Sequence, residues 1–391
     1  MEKSDSLFAK LDYTLIFIVF LLFCFSLLAI YKAPIPSNLG GNHYFVVHQL
    51  IWYVVGGLFA LLFFVLDYER LKPLAWILYG ILMLPLIGLI AKAHGVPVPL
   101  ARASHGAVSW YHLPGLGDIQ PAEFMKIVLI IIVGRLIIDH NENNHNRQVA
   151  DDLKLLGKIS GVSLPPIALI LIQPDLGTVM LLVATIVSMV LVSGIRWRLI
   201  GGLFLIAIGG IGGLALAFLK APFLVHFLLK SHQSDRFLGW LAPYKYSNSE
   251  GYQLINSMTA IGSGELYGKG LSHTMNYLPE GYNDFIFSVI GSEFGFIGAS
   301  LLISIYFMLI YRVIYTALKT HDPFGSYICT GIIGMITFTI FENIGMTIQV
   351  MPITGVPLPF ISYGGSSLLT NMMAIGIVLS IRARARKYMF D

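Results

Sequence analysis

Apolar runs of about 20 residues recur along the chain from Asp12 to Arg382, each bounded by short polar or Gly/Pro-rich stretches. A helix of about that length crosses the hydrocarbon core of a bilayer. The pattern predicts ten spans, near residues 12–31, 46–66, 73–92, 121–138, 158–172, 176–194, 199–219, 284–315, 325–349 and 363–382. Pro165, Pro166 and Pro174 interrupt the fifth and sixth, which read either as one broken hairpin or as two short tilted helices. The first run is too long for a signal-peptide core and has no small-residue cleavage site before Tyr31, so it reads as a retained span. Between spans seven and eight lies the segment 220–283, far longer than an ordinary connection. Within it FLVHFLL before Ser231 and RFLGWLAP from Arg236 read as helices lying at the membrane surface, with Trp240 and Tyr244 at headgroup level. After Met351 the prolines 352, 357 and 359 forbid a regular helix, and Gly355, Gly364 and Gly365 permit sharp turns. Non-helical backbone at membrane depth must be buried in protein or line a cavity. This stretch reads as a re-entrant element forming a cavity wall.

Composition sharpens the class. Hydrophobic residues make up 56% of the 391 and charged ones 12%, against about a quarter charged in soluble domains. The chain is predicted to be one all-α polytopic membrane domain over residues 1–391, with its long loop outside. Cys24 and Cys329 both fall in apolar runs and are expected as free thiols. Basic residues gather on one set of loops: Arg70 and Lys72, then Arg135, Arg147, Lys154 and Lys158, then Arg196 and Arg198, then Arg382, Arg384, Arg386 and Lys387. That side is expected to be cytoplasmic, with both termini there and segments 93–120 and 220–283 outside.

The chemistry concentrates at the outer face. In YLPEGYNDFIFSVIG a polar loop turns into an apolar helix, and Asp284 sits at the junction. A carboxylate held there is partly desolvated, which costs free energy and points to a chemical role. The plainer reading makes it the N-cap of the following helix. QPAE places Glu123 at the start of a span with Lys126 on the same helical face, and QPDLGT places Asp175 at a turn between spans. Each has an ordinary reading, as a first-turn acid and an N-cap, but three acids at one membrane face weigh more together. The glycines at 262, 264, 268 and 270 allow an irregular turn that only weakly resembles a phosphate cradle. Arg and Lys of the long loop read either as a solvated face or as a groove for a diphosphate. Glu342 and Asn343 read as a buried helix–helix hydrogen bond. His140 and His145 lack a third metal ligand, no nucleotide-binding loop or serine-nucleophile motif is present, and no nucleic-acid partner is expected. Ten spans, broken helices and intramembrane charges also describe a secondary carrier or lipid flippase. The long outer loop with its junctional aspartate favours chemistry outside the membrane.

QPAEFMKI, QPDLGT, the run from GSGELYGKG to YLPEGYNDFIFSVIGSEFGFIG, and PITGVPLPFISYGGSSLL together resemble the SEDS family (shape, elongation, division and sporulation), in order and over nearly the whole chain. HDPFGSYI, FENIGM and GGSS resemble its elongation branch (RodA) more than its division branch (FtsW). The resemblance implies a ten-span peptidoglycan glycosyltransferase of the bacterial plasma membrane. It would polymerise lipid II into lipid-linked glycan during elongation and shape maintenance, beside a class B penicillin-binding protein. The family's essential aspartate falls on Asp284, its QPSE-type motif on Glu123 and Lys126, its QPDLGT acid on Asp175 and its loop arginine on Arg236. The expected roles are a base at Asp284, diphosphate binding by Lys126 and Arg236, and, for Glu123 and Asp175, either orientation of Lys126 or a share in holding a metal. A divalent cation, Mg2+ or Mn2+, is the one cofactor left to consider. Two departures stand out: Ser109 precedes Trp110 where the family often has Arg, leaving Arg102 as a distant substitute, and Tyr282-Asn283 replace the usual His-Thr.

Overall fold

A computed structural model describes residues 10–35, 40–104, 107–114, 117–143, 148–220, 236, 238–247, 251–270 and 278–385. Its helices are α1 (Tyr13–Lys32), α2 (Gly41–Val65), α3 (Leu71–Ala93), α4 (Pro121–Asn143), α5 (Val149–Ile172), α6 (Leu176–Val192), α7 (Trp197–Lys220), α8 (Gly251–Ser263), α9 (Ile286–Lys319), α10 (Pro323–Thr347) and α11 (Gly365–Arg384). All but α8 fall on an expected span. Seven are long and apolar enough to cross a membrane on length and composition alone: α1, α2, α3 with the 3-10 turn before it, α5, α9, α10 and α11. α6 is shorter, at 17 residues, and α4 carries Glu123, Lys126, Arg135 and Asp139 among its apolar positions. The interrupted region is two helices. α5 accommodates Pro165 and Pro166 internally, and the break comes at Pro174 before α6.

α4 and α11 are enclosed along most of their length, whereas α2, α3 and α7 expose Leu58, Ile77, Leu84 and Leu205 outward. Apolar side chains on the outer surface suit a lipid solvent. α2 and α11 pack nearly backbone to backbone. A Cβ added at Gly376 would lie 2.4 Å from the Ala60 carbonyl oxygen, so only glycine allows this approach.

Between α3 and α4 the chain forms an antiparallel sheet of β1 (Ala101–Ser104), β2 (Ala107–Leu113) and β3 (Gly117–Ile119), in that order. The span pattern gave no sign of it. Arg102 pairs opposite Trp110 across β1 and β2, so the arginine that seemed distant in sequence stands beside the tryptophan.

The proline-rich stretch after Met351 is non-helical and largely buried, with Leu358, Phe360 and Ile361 each at most 2% exposed. Buried carbonyls need donors, and side chains from four helices supply them. Ser26 Oγ donates to Ile361 O at 2.8 Å, Gln49 Nε2 to Ser362 O at 3.3 Å and Tyr306 OH to Pro359 O at 2.5 Å. Tyr53 OH donates to Phe360 O, and Asn343 Nδ2 to Val356 O at 2.8 Å. The segment is thus fixed by the bundle rather than by its own backbone.

In the long loop, FLVHFLL lies outside the described residues. Residues 238–241 are helical as expected, and Trp240 is tied to the bundle. Its indole donates to Gln349 O at 2.9 Å, and Gln349 Nε2 returns a bond to Trp240 O at 3.0 Å, docking the loop on the end of α10. The glycine turn also has another use than cradling phosphate. Lys269 N and Gly270 N donate to Ser292 O and Glu293 O of α9, and an added Cβ at Gly268 would lie 2.2 Å from Glu293 O. These amides are engaged by the helix. Cys24 is half-buried and Cys329 buried, and both are free.

Candidate active site

The turn before α9 is built from its own backbone. Asn283 N and Phe285 N both donate to Glu280 O, and Phe285, 1% exposed, anchors the helix start. Phe285 occupies the cap position and no side chain caps the helix. Asp284 is therefore not an N-cap, and its carboxylate is left for other work. It is half-buried. Asn343 Nδ2 donates to the Asp284 carbonyl at 2.8 Å as well as to Val356 O, tying the aspartate to the proline-rich segment. Asn343 is thus not a helix–helix contact but a clamp on this turn. Its neighbour Glu342 is fully buried.

Gly355 backs directly onto the carboxylate. Its φ is +77°, and an added Cβ would stand 3.1 Å from Asp284 Oδ2. Arg236, which is exposed, reaches the adjacent Thr354 carbonyl with Nη1 at 3.5 Å. Burial raises the Asp284 carboxyl well above the ordinary carboxylate range, Glu280 and Asp175 add to the rise, and the Arg236 guanidinium opposes it. A proton acceptor of raised basicity beside an exposed guanidinium is an arrangement that can deprotonate a hydroxyl and hold an anion at one place.

Asp175 is the N-cap of α6. Oδ1 accepts from Thr178 N at 3.0 Å, and Oδ2 accepts from Thr178 Oγ1 at 2.9 Å and from Gln120 Nε2 at 2.7 Å. The capping role coexists with its closeness to Asp284. Gly177, two residues on, packs against Thr354 and Val356, which brings α6 to the same wall. Glu123 and Lys126 form an ion pair at 2.5 Å with side chains 5% and 6% exposed. The Lys126 charge is already answered by Glu123, so Arg236 is the exposed cation nearest Asp284 among the five predicted residues. The sequence reading missed Gln120, Asn343, Thr354 and Gly355. The signal for Asn343 was an amide in the middle of an apolar span.

These residues do not make a metal centre by themselves. Glu123 is taken by Lys126 and Asp175 by the α6 cap and Gln120. Among the described residues no three His, Cys, Asp or Glu side chains cluster as a metal ion would need.

The profile of the FtsW/RodA/SpoVE family, described as cell cycle proteins, matches residues 13–387. The chain belongs to this family. One SEDS relative is the probable peptidoglycan glycosyltransferase FtsW of Bacillus subtilis, 33% identical over 388 residues, covering 95% of this chain and 90% of the relative. Another is the peptidoglycan glycosyltransferase MrdB of Escherichia coli K12, 36% identical over 289 residues, covering 72% of this chain and 73% of MrdB. Among solved structures, a chain of a peptidoglycan synthase complex that coordinates polymerisation and crosslinking matches with a TM-score of 0.75. It is 27% identical, over 95% of this chain and 97% of that one. The SEDS resemblance read from the motifs is thereby established, and with it a multi-pass helical membrane protein.

Proposed function

We propose that this chain is a peptidoglycan glycosyltransferase that polymerises lipid II at the outer face of the bacterial plasma membrane. The observation that carries the reading is the Asp284 turn, a basic, half-buried carboxylate pinned by Asn343 and Gly355 next to the exposed Arg236. In the reaction an acceptor sugar 4-hydroxyl attacks the anomeric carbon of a donor. The hydroxyl proton passes to Asp284, the new glycosidic C–O bond forms, and the anomeric C–O bond to the lipid diphosphate breaks with its electron pair leaving on that group. General-base assistance of this kind contributes typically about 10²–10⁴-fold. Arg236 steadies the departing diphosphate. Lys126, locked to Glu123 in the first turns of α4, and Asp175, which holds Gln120, keep the α4 and α6 ends in register with each other. A divalent cation, if the reaction uses one, is held chiefly by the substrate's phosphates and not by a cluster of protein ligands.

Ten spans with both termini cytoplasmic place Asp284 outside, where the sugars are, while the polyprenyl tail stays in lipid. A class B penicillin-binding protein is the proposed crosslinking partner, in keeping with the synthase complex to which the fold is similar. The elongation role rests on HDPFGSYI and FENIGM and on the likeness to MrdB. A division role is the second reading, favoured by the likeness to FtsW over 95% of the chain. Purified protein given labelled lipid II should yield a glycan ladder, and translocation without a ladder would point to a flippase. Rescue of rod shape, but not of septation, in cells depleted of either polymerase separates elongation from division.

A further inference from the structure

At the C-terminal end of α9, about 30 Å of helical rise beyond the break at Gly295, three cations converge on one ring. The Arg312 guanidinium lies 5.2 Å, the Lys319 amine 5.7 Å and the Arg382 guanidinium 4.8 Å from the centre of Tyr315. Arg312, Tyr315 and Lys319 share one face of α9, being three and four residues apart. Arg382 comes from the last turn of α11. Asp12, buried at the start of α1, pairs with Arg312 at 2.5 Å and answers one of the three charges. Neither Lys319 nor Arg382 has an ion pair among the described residues, and the buried Arg312 Nε has no hydrogen-bond partner there.

A ring face attracts cations but carries no net charge, so it does not relieve their mutual repulsion. A segregation of basic residues to one membrane side accounts for their presence but not for their convergence on one half-buried ring. A counter-anion does. The neighbouring surface of α9 says which one: Phe307, Tyr311, Ile314 and Leu318 are exposed, 72%, 56%, 38% and 81%, and form an apolar stripe that runs up to the cluster. A free anion would have no use for that stripe, whereas acyl chains would lie along it with their phosphate among the cations.

We propose that the ends of α1, α9 and α11 around Tyr315 form a binding site for the headgroup of an anionic phospholipid. The site is independent of the sugar-transfer reading and concerns a part of the bundle that the reaction does not touch.

The test is native mass spectrometry on the full chain in neutral detergent, titrated with phosphatidylglycerol, phosphatidylcholine or soluble glycerol phosphate. Phosphatidylglycerol should bind saturably and phosphatidylcholine should not. Lys319→Gln with Arg382→Gln should weaken phosphatidylglycerol about 30-fold, roughly fivefold for each charge near the membrane surface. Lys319→Arg with Arg382→Lys should keep it, and both doubly substituted chains should polymerise lipid II as the parent does. Equal retention of the two lipids, or unchanged phosphatidylglycerol binding by the neutralised chain, would overturn the proposal. Displacement of the lipid by an equal concentration of glycerol phosphate would overturn it too, by showing a site for the anion alone.

Discussion

Asp284 is raised in basicity by burial first and by Glu280 and Asp175 second, against the pull of Arg236. Two outcomes follow from the sign. As a base it must be ionised, so polymerisation should fall on acidification at a pH well above 3.9, where an ordinary aspartate protonates. A pH–rate profile measures this, and an acid limb at the ordinary value would contradict the burial. For stability, a folded carboxyl with a raised pKa favours the fold at pH values below the unfolded pKa and loses that contribution as pH rises through the folded pKa. Asp284→Asn should therefore be at least as thermally stable as the parent at neutral pH, with the difference shrinking towards acid. Asn343→Ala leaves the Asp284 and Val356 carbonyls without their donor. It should lower kcat with little effect on lipid II binding, and Gly355→Ala should do the same by crowding the carboxylate.

At the scale of elements, most of the bundle was legible because a bilayer imposes one simple requirement, an apolar run of fixed length. The ten expected segments each became a helix. What was not legible depended on pairing across distance. The β1–β2–β3 sheet has strands too short for a periodic signal, and its register brings Arg102 to Trp110 where the sequence separates them. The prolines announced that residues 352–363 leave the helix, but not that Ser26, Gln49, Tyr53, Tyr306 and Asn343 would satisfy its carbonyls. The acids Glu123, Asp175 and Asp284 were legible as a group, and in the structure Asp175 and Arg236 are close enough to Asp284 to act on its charge. The pairing of Lys126 with Glu123 was legible from their spacing on one helical face, but their burial, which depends on the rotation of α4 in the bundle, was not. Tyr306→Phe removes the donor to Pro359 O and should cost about 1–3 kcal/mol, read as a lower thermal midpoint. Gly376→Leu should cost more, since it must part α2 from α11.

Over the whole molecule, Asp284 precedes α9 and the Tyr315 cluster lies in its last turns, beyond the break at Gly295, so the orientation of the bundle decides what each can meet. In the proposed topology the loop carrying Tyr244, whose side chain is 77% exposed, lies outside with the sugar chemistry, and the cationic end lies within. A cysteine in place of Tyr244 should react with an impermeant thiol reagent on intact cells. One in place of Lys154, whose side chain is 69% exposed, should react only after lysis. The reverse pattern would turn the proposed topology over.

The most direct measurement is glycan formation from labelled lipid II by the purified chain, set beside its Asp284→Asn variant at equal folded concentration and equal lipid II binding. A ladder from the parent, reduced at least about 100-fold in the variant, is the predicted result. A variant that polymerises at the parent's rate would show that the carboxylate at this turn is not the base.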